Sequence, residues 1–260
     1  MNQETAEKLA GSLTFAGTEI LPFLPYLLQD LWELGSDPVQ MARLIGKHID
    51  LSQDTKILDL ACGKGAVSVE IAQRLHVRVK GIDIMPEFIE YAVKKAQEAH
   101  VRELCHFVVG DINEAVIQEK DYDCVILGAV GKDVLDGAKE TLRKLKATLK
   151  PGGYILMDDT YLSDIQKQEN VKYKNYEHVT KNEWLALFEE LEVTLIKIIP
   201  NEETPDYSSE MAVIEVRAHE LIRQYPEKRE MFEDYVRSQW NECDDLENNV
   251  TSAVFMLKKT

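Results

Sequence analysis

Lys56-Ile57-Leu58-Asp59-Leu60-Ala61-Cys62-Gly63-Lys64-Gly65-Ala66-Val67 is the stretch from which the fold can be read. Its first half is a short apolar run carrying one acid, the pattern of a buried parallel strand. Small residues follow, and then a helical pattern begins, with Val67, Ile71, Ala72 and Leu75 on one face. A strand, a glycine loop and a helix start in that order make a nucleotide cradle. Glycines let backbone approach a ligand, and the helix N-terminus offers unpaired N–H groups. Asp59 narrows the ligand: a carboxylate there would repel a phosphate and suits a ligand that brings a positive amino group.

Outward from this stretch, strands and helices alternate. Val77–Asp83 reads as a second strand ending on an acid, and an acid at that place can accept hydrogen bonds from both hydroxyls of a ribose. A helix follows from Pro86. His106–Asp111 reads as a third strand, and Asp111 taken alone is a helix N-cap for the segment from Ile112. Asp121–Ala129 is the fourth strand, and Lys132 just after it reads as a solvated helix-start residue. Ala138, Leu142, Leu145 and Leu149 form a helical stripe, which Lys150-Pro151-Gly152-Gly153 breaks before a fifth strand, Tyr154–Asp159. Such alternation demands a parallel sheet with helices on both faces, an α/β doubly wound fold.

Before the core strand, Leu24, Leu27, Leu28, Leu31 and Leu34 predict one helix stopping near Gly35, and Asp37-Pro38 opens a second. These helices within 1–50 either pack on the sheet or, through Phe23, Tyr26 and Trp32, cover the cofactor. After Tyr161 the chain is polar up to Thr180, where a helix carrying Trp184 and Phe188 begins. Val193–Ile199 and Val250–Leu257 read as the last two strands. Between them, 201–249 carries two helical stripes separated by Pro226: Met211, Ile214, Ala218, Leu221 and Tyr225, then Met231, Tyr235, Cys243 and Leu246, with Phe232, Val236 and Trp240 beside the second.

The chain of 260 residues, 45% hydrophobic, suffices for a single large domain spanning 1–260. Its net charge is −16, from 46 acids against 30 bases, which repels nucleic acid and anionic membranes. Four scattered cysteines and six scattered histidines give a metal site no support and fit reduced thiols. No secretory signal is read at the amino terminus and no apolar run approaches the ~20 residues of a membrane span, so the expected location is cytoplasmic.

Asp59-Leu60-Ala61-Cys62-Gly63-Lys64-Gly65 resembles the first motif of the class I S-adenosylmethionine-dependent methyltransferases, with Ala61 where the first glycine is usual. The Gly-Asp after strand three and the helix–Lys-Pro-Gly-Gly–strand run are similar to that family too. The resemblance implies a mostly parallel seven-stranded sheet of order 3-2-1-4-5-7-6, with the last strand antiparallel. It also implies S-adenosylmethionine as cofactor. Contacts would come from Asp59, Ala61, Cys62, Gly63 and Gly65, from Asp83, Ile84 and Met85, from Gly110, Asp111 and Ile112, and from Leu127 and Gly128. Asp111 would accept from the adenine amino group. Asp158, Asp159 and Tyr161, at the carboxyl end of strand five, are candidates to orient the acceptor or act as base, although Asp159 could equally be a turn former.

The implied reaction moves a methyl group to a small-molecule acceptor. A nicotinamide-dependent oxidoreductase is the competing enzyme, but Gly63-Lys64-Gly65-Ala66-Val67-Ser68 lacks the third glycine of its fingerprint. A non-catalytic cofactor-binding or regulatory protein is the third reading. The 201–249 hairpin is expected to cap the active site and select the substrate; its alternative is a homodimer interface. Segment 200–249 carries 14 acids against 5 bases, which could attract a cationic substrate.

Overall fold

A run of Val, Ile and Leu at strand spacing in the middle of the chain builds the centre of the molecule. The computed structural model describes residues 3–13, 15, 17–162, 168–173, 178–200 and 206–260. The strands are β1 (Lys56–Leu60), β2 (Arg78–Asp83), β3 (Cys105–Val109), β4 (Tyr122–Gly128), β5 (Leu149–Tyr161), β6 (Val193–Pro200) and β7 (Thr251–Lys259). Among the described residues, the helices are α1 (Gln3–Ser12), α2 (Leu24–Leu27), α3 (Pro38–His48), α4 (Ala66–Leu75), α5 (Pro86–Glu98), α6 (Ile112–Gln118), α7 (Ala138–Thr148), α8 (Lys181–Glu190), α9 (Ser208–Gln224) and α10 (Arg229–Asp244).

The strands form one sheet of order β3-β2-β1-β4-β5-β7-β6, with β7 antiparallel, as the resemblance implies. In β1, Ile57 pairs with Val79 and Cys124, and Leu58 with Lys80 and Val125, in parallel register. Ile57, Leu58 and Leu60 are wholly buried, so β1 is the floor of the core. Met41 and Ile45 of α3 join Ile71 and Ala72 of α4 in covering it. α3 begins where it does because the Asp37 carboxylate accepts from the N–H groups of Val39 and Gln40, with Pro38 in the first turn.

The chain divides into two compact units. One holds Trp32–Asp159, Asn182–Ile199 and Ala253–Thr260, and so nearly all of the sheet. The other gathers Met1–Leu31, Thr160–Lys181 and Pro200–Ser252. Within that second unit α9 packs along α10, and the amino-terminal segment packs on both. Phe23 lies edge-on to Phe232 and Tyr225, with ring centres 5.0 and 5.4 Å apart. Arg217 of α9 grips Asp30 with two N–H groups and Glu220 with another, while the Tyr26 hydroxyl donates to Glu220 at 2.7 Å. Asp245 gathers the N–H groups of Lys172 and Tyr173 and the side-chain amide of Asn249.

Three expectations are corrected. The helix read over 24–34 survives only as α2, preceded by a 3-10 turn over Thr18–Phe23. Beyond it, Trp32 and Leu34 bind to the glycine loop, and those contacts replace the helical ladder. Lys150-Pro151-Gly152-Gly153 is not a break before β5 but a bulge inside it: Tyr122 pairs with Leu149, and pairing resumes at Cys124 with Tyr154. Tyr225, read as a member of the first apolar stripe, and Trp240, read beside the second, are exposed; the buried face of α10 is Phe232, Tyr235 and Cys243.

Candidate functional site

The carboxyl ends of β1, β2 and β3 meet through one residue. Asp83 closes β2, and its two carboxylate oxygens accept from Gly63 N–H at 2.8 Å and Met85 N–H at 2.9 Å. Its carbonyl accepts from Gly110 N–H at 2.9 Å, which ties in the end of β3. Burial raises the Asp83 carboxyl above the ordinary carboxylate range, and the N–H donors of Met85, Gly63 and Ile84 oppose that rise. Asp83 is thus both a wall of the cradle and the clasp that shapes it.

The loop over 61–65 is held from its ends. Cys62 N–H donates to Ile82, and Gly65 N–H to Cys62. Ala61, Gly63 and Gly65 all take left-handed conformations, with φ of 54°, 52° and 77°. At Gly65 a side chain would also have no room, since a Cβ would stand 2.7 Å from Ala92 and 2.9 Å from Phe107. Asp59, beneath the loop, accepts from the buried Ser68 hydroxyl at 2.5 Å. Burial pushes the Asp59 carboxyl up to about 7; the Ser68 bond opposes this, and the nearby Asp83 adds to it. Burial also pushes the Cys62 thiol up.

Residues 32–36 cross over this loop. The Trp32 indole N–H donates to the Lys64 carbonyl at 3.2 Å, and the Lys95 ammonium sits 5.0 Å above the Trp32 ring. Leu34 lies against Gly63, and Ser36 against Gly128, where a Cβ would stand 2.7 Å from its hydroxyl.

Asp111 caps α6, accepting from Asn113 N–H at 2.8 Å and from the Asn113 amide at 3.2 Å. Ile112 and Met85 are buried beside these turns, Ile84 is half-buried, and Leu127 is enclosed next to Gly128. At the end of β5, Asp158 stands in register with Gly128. Burial pushes its carboxyl up to about 6, with the Ser36 hydroxyl opposing and Asp159 and Asp37 adding.

Asp159 forms a buried ion pair with Lys132 at 3.5 Å. This corrects the reading of Lys132 as solvated: it is 0% exposed. Asp159 is no turn former either, since β5 runs on through it to Tyr161. Tyr161 belongs to the other compact unit, where its ring lies under the Lys181 ammonium. The remaining candidates fall at the carboxyl ends of β1 to β5. Sequence reasoning missed Ser68, Ser36 and the burial of Lys132. Ser68 carried a weak signal, a hydroxyl among the apolar residues of a helix that follows an acid in the strand; Lys132 carried none.

A buried carboxylate with a raised pKa under the loop, a second at the end of β2 and a third after β3 are groups able to accept from an ammonium, hydroxyls and an amino group. That set fits S-adenosylmethionine and would repel a pyrophosphate. Comparison with known proteins agrees. The family model described as methyltransferase domain matches residues 51–192. A sterol 4-C-methyltransferase of Caenorhabditis elegans is 24% identical over 136 residues, 52% of this chain and 40% of that protein. The chain spans about half the length of the curated relatives it matches. Two solved structures, described as S-adenosylmethionine-dependent methyltransferases in complex with S-adenosyl-L-homocysteine, share the fold. The Geobacter sulfurreducens protein has a TM-score of 0.75 at 19% identity, covering 92% of this chain and 98% of its own. The Thiobacillus denitrificans protein has a TM-score of 0.72 at 20% identity, with the same coverage.

Proposed function

This chain belongs to the methyltransferase-domain family, and on that footing we propose that it transfers the methyl group of S-adenosylmethionine to a small-molecule acceptor, releasing S-adenosylhomocysteine. The carrying observation is the Asp83 clasp, which joins the glycine loop to the ends of β2 and β3 and so supports a cofactor cradle lined by carboxylates that could accept from hydroxyl and amino groups.

When bound, the cofactor supplies an electrophilic methyl, so the protein needs few reactive side chains. Asp83 would take the ribose hydroxyls and Asp111 the adenine amino group. Asp59 would take the ammonium of the amino-acid end, with Ala61, Cys62, Gly63 and Gly65 letting backbone come close. Ile84, Met85, Gly110 and Ile112 would wall the adenosine, and Leu127 and Gly128 would lie by the sulfonium. Asp158 is the proposed acceptor-side group; Asp159 is engaged by Lys132. Residues 32–36 would brace the loop through the Trp32 bond to Lys64 and the Leu34 contact with Gly63.

Acceptor selection is assigned to segment 201–249, on the strength of its two amphipathic helices and its 14 acids against 5 bases; positions 201–205 of that segment lie outside the described residues. A small acceptor is supported by the net charge of −16, and a cytoplasmic location by the scattered spacing of Cys62, Cys105, Cys124 and Cys243. Among the described residues no helix is long and apolar enough to cross a membrane.

The test is S-adenosylhomocysteine release from S-adenosylmethionine in the presence of fractionated small-molecule cell extracts. A fraction that supports turnover establishes the activity and leads to the acceptor. Tight binding of NADH, with no binding of S-adenosylhomocysteine, would overturn it.

A further inference from the structure

The end of β5 carries two consecutive carboxylates with different fates. Asp159 points into the body of its unit, where it meets the Lys132 ammonium at 3.5 Å, with both side chains enclosed. The ring of Trp184 lies 6.0 Å from that ammonium. Lys132 is itself held: its carbonyl accepts from the Thr141 hydroxyl at 2.8 Å and from Gly137 N–H at 3.1 Å, which fastens it to the start of α7. Asp158 turns the other way, as successive strand residues must. The groups acting on it are Ser36 and Asp37, from the segment before α3, and Asp159, its neighbour on β5.

A buried ion pair is a weak source of stability, because desolvating two charges offsets their attraction, and an apolar pair of similar volume would hold the fold as well. The informative fact is where this pair sits. It is one residue from Asp158, at the carboxyl edge of the sheet, where ligands bind. Pinning Asp159 adds a side-chain tether to the backbone bond from Ala129 N–H to the Asp158 carbonyl, 3.2 Å, and so restrains the direction of Asp158. The ammonium also offsets the negative charge next to Asp158.

We infer that Lys132 is a positioning residue for methyl transfer: by holding Asp159 it turns the Asp158 carboxylate toward the acceptor edge, ready to take the acceptor's proton. This rests on the methyltransferase reading. The acceptor's nucleophilic atom bonds to the methyl carbon while the carbon–sulfur bond breaks, its electron pair remaining on sulfur. The acceptor's proton passes to Asp158, which ends the step neutral.

The experiment compares the native protein with Lys132→Arg, Lys132→Met and the double variant Lys132→Met/Asp159→Leu. Three quantities are read: the Asp158 titration by carboxyl-carbon NMR, assigned with Asp158→Asn; S-adenosylhomocysteine affinity by calorimetry; and extract-dependent turnover of S-adenosylmethionine. In Lys132→Met, Asp158 should titrate at higher pH, with affinity within about twofold of native and turnover at least about tenfold lower, roughly 1.4 kcal/mol in the barrier. In the double variant the Asp159 charge is gone, so Asp158 should titrate below the native midpoint while turnover stays low. Lys132→Arg should restore the midpoint. Because Lys132→Met leaves a lone buried charge, the double variant keeps the test open if the single one does not fold.

An unchanged Asp158 midpoint and unchanged turnover in the folded variants would overturn the inference. So would turnover and cofactor affinity falling together, which marks a purely structural lysine. Native protein that binds S-adenosylhomocysteine yet turns over with no extract would instead sink the methyltransferase reading, and the titrations would still decide whether Lys132 orients Asp158.

Discussion

The Asp83 carboxylate accepts the Gly63 N–H at 2.8 Å, so the acid at the end of β2 fixes the conformation of the glycine loop that follows β1. Two positions picked out separately in the sequence are one device. A substitution at Asp83 therefore reads out on fold and ligand together.

Asp83→Asn puts an amide N–H2 where one of two backbone N–H groups, Gly63 or Met85, needs an acceptor. Leaving one buried donor unmet costs about 1–3 kcal/mol. The melting temperature should fall, and S-adenosylhomocysteine affinity should weaken at least about tenfold in calorimetry on the folded variant. Native affinity would remove Asp83 from the cofactor site.

Asp59 gives a pH-dependent prediction. Its folded value of about 7 lies above its ordinary 3.8, so the folded protein binds more protons than the unfolded chain between these values. Asp59 therefore detracts nothing from stability below about pH 4, and its cost grows as pH rises to about 7. Asp59→Asn, which still accepts from Ser68, should raise the melting temperature at pH 8 and leave it nearly unchanged at pH 4. An ammonium brought by the ligand would favour the carboxylate, so binding S-adenosylhomocysteine at pH 7 should release protons. Calorimetry in buffers of different ionisation enthalpy should show this for the native protein and lose it in Asp59→Asn.

Ala61 holds a left-handed conformation, φ 54°, that costs a side-chain-bearing residue about 1–2 kcal/mol. Glycine relieves that strain but loses roughly 0.5–1 kcal/mol through the freer unfolded chain. Ala61→Gly should therefore gain up to about 1 kcal/mol and raise the melting temperature by about 2–4 °C. A lower melting temperature would mean that the methyl packs better than its backbone suggests.

Asp111→Asn preserves the cap on α6, since both residues cap well. The melting temperature should hold, while S-adenosylhomocysteine affinity drops several-fold because a charged acceptor becomes neutral. If the affinity holds as well, Asp111 is a helix cap alone.

The sheet was legible because its strands are buried on both faces and read as apolar runs ended by Asp or Gly, as β1 and β2 do. The candidate acids Asp59, Asp83 and Asp111 were legible for the same reason: each stands near the end of such a run or just past it. Residues 24–34 were not. Their leucines fit a helix locally, but Trp32 and Leu34 find better partners at Lys64 and Gly63, about thirty positions away. Lys132 was illegible for a related reason. A lysine after a strand is ordinarily solvated, and only the fold brings Asp159, 27 positions later, within reach of its ammonium.

The order of synthesis adds a constraint. β7 is made last of the strands, yet it lies between β5 and β6, with Ala253 to Leu257 buried. Until the ribosome delivers it, β6 has no partner in the sheet and β5 offers a bare hydrogen-bonding edge beside the half-built site. A chain stalled or clipped before Thr251 is thus an adhesive intermediate rather than a weak enzyme, and it would be expected to recruit chaperones or pair edge to edge with its own kind.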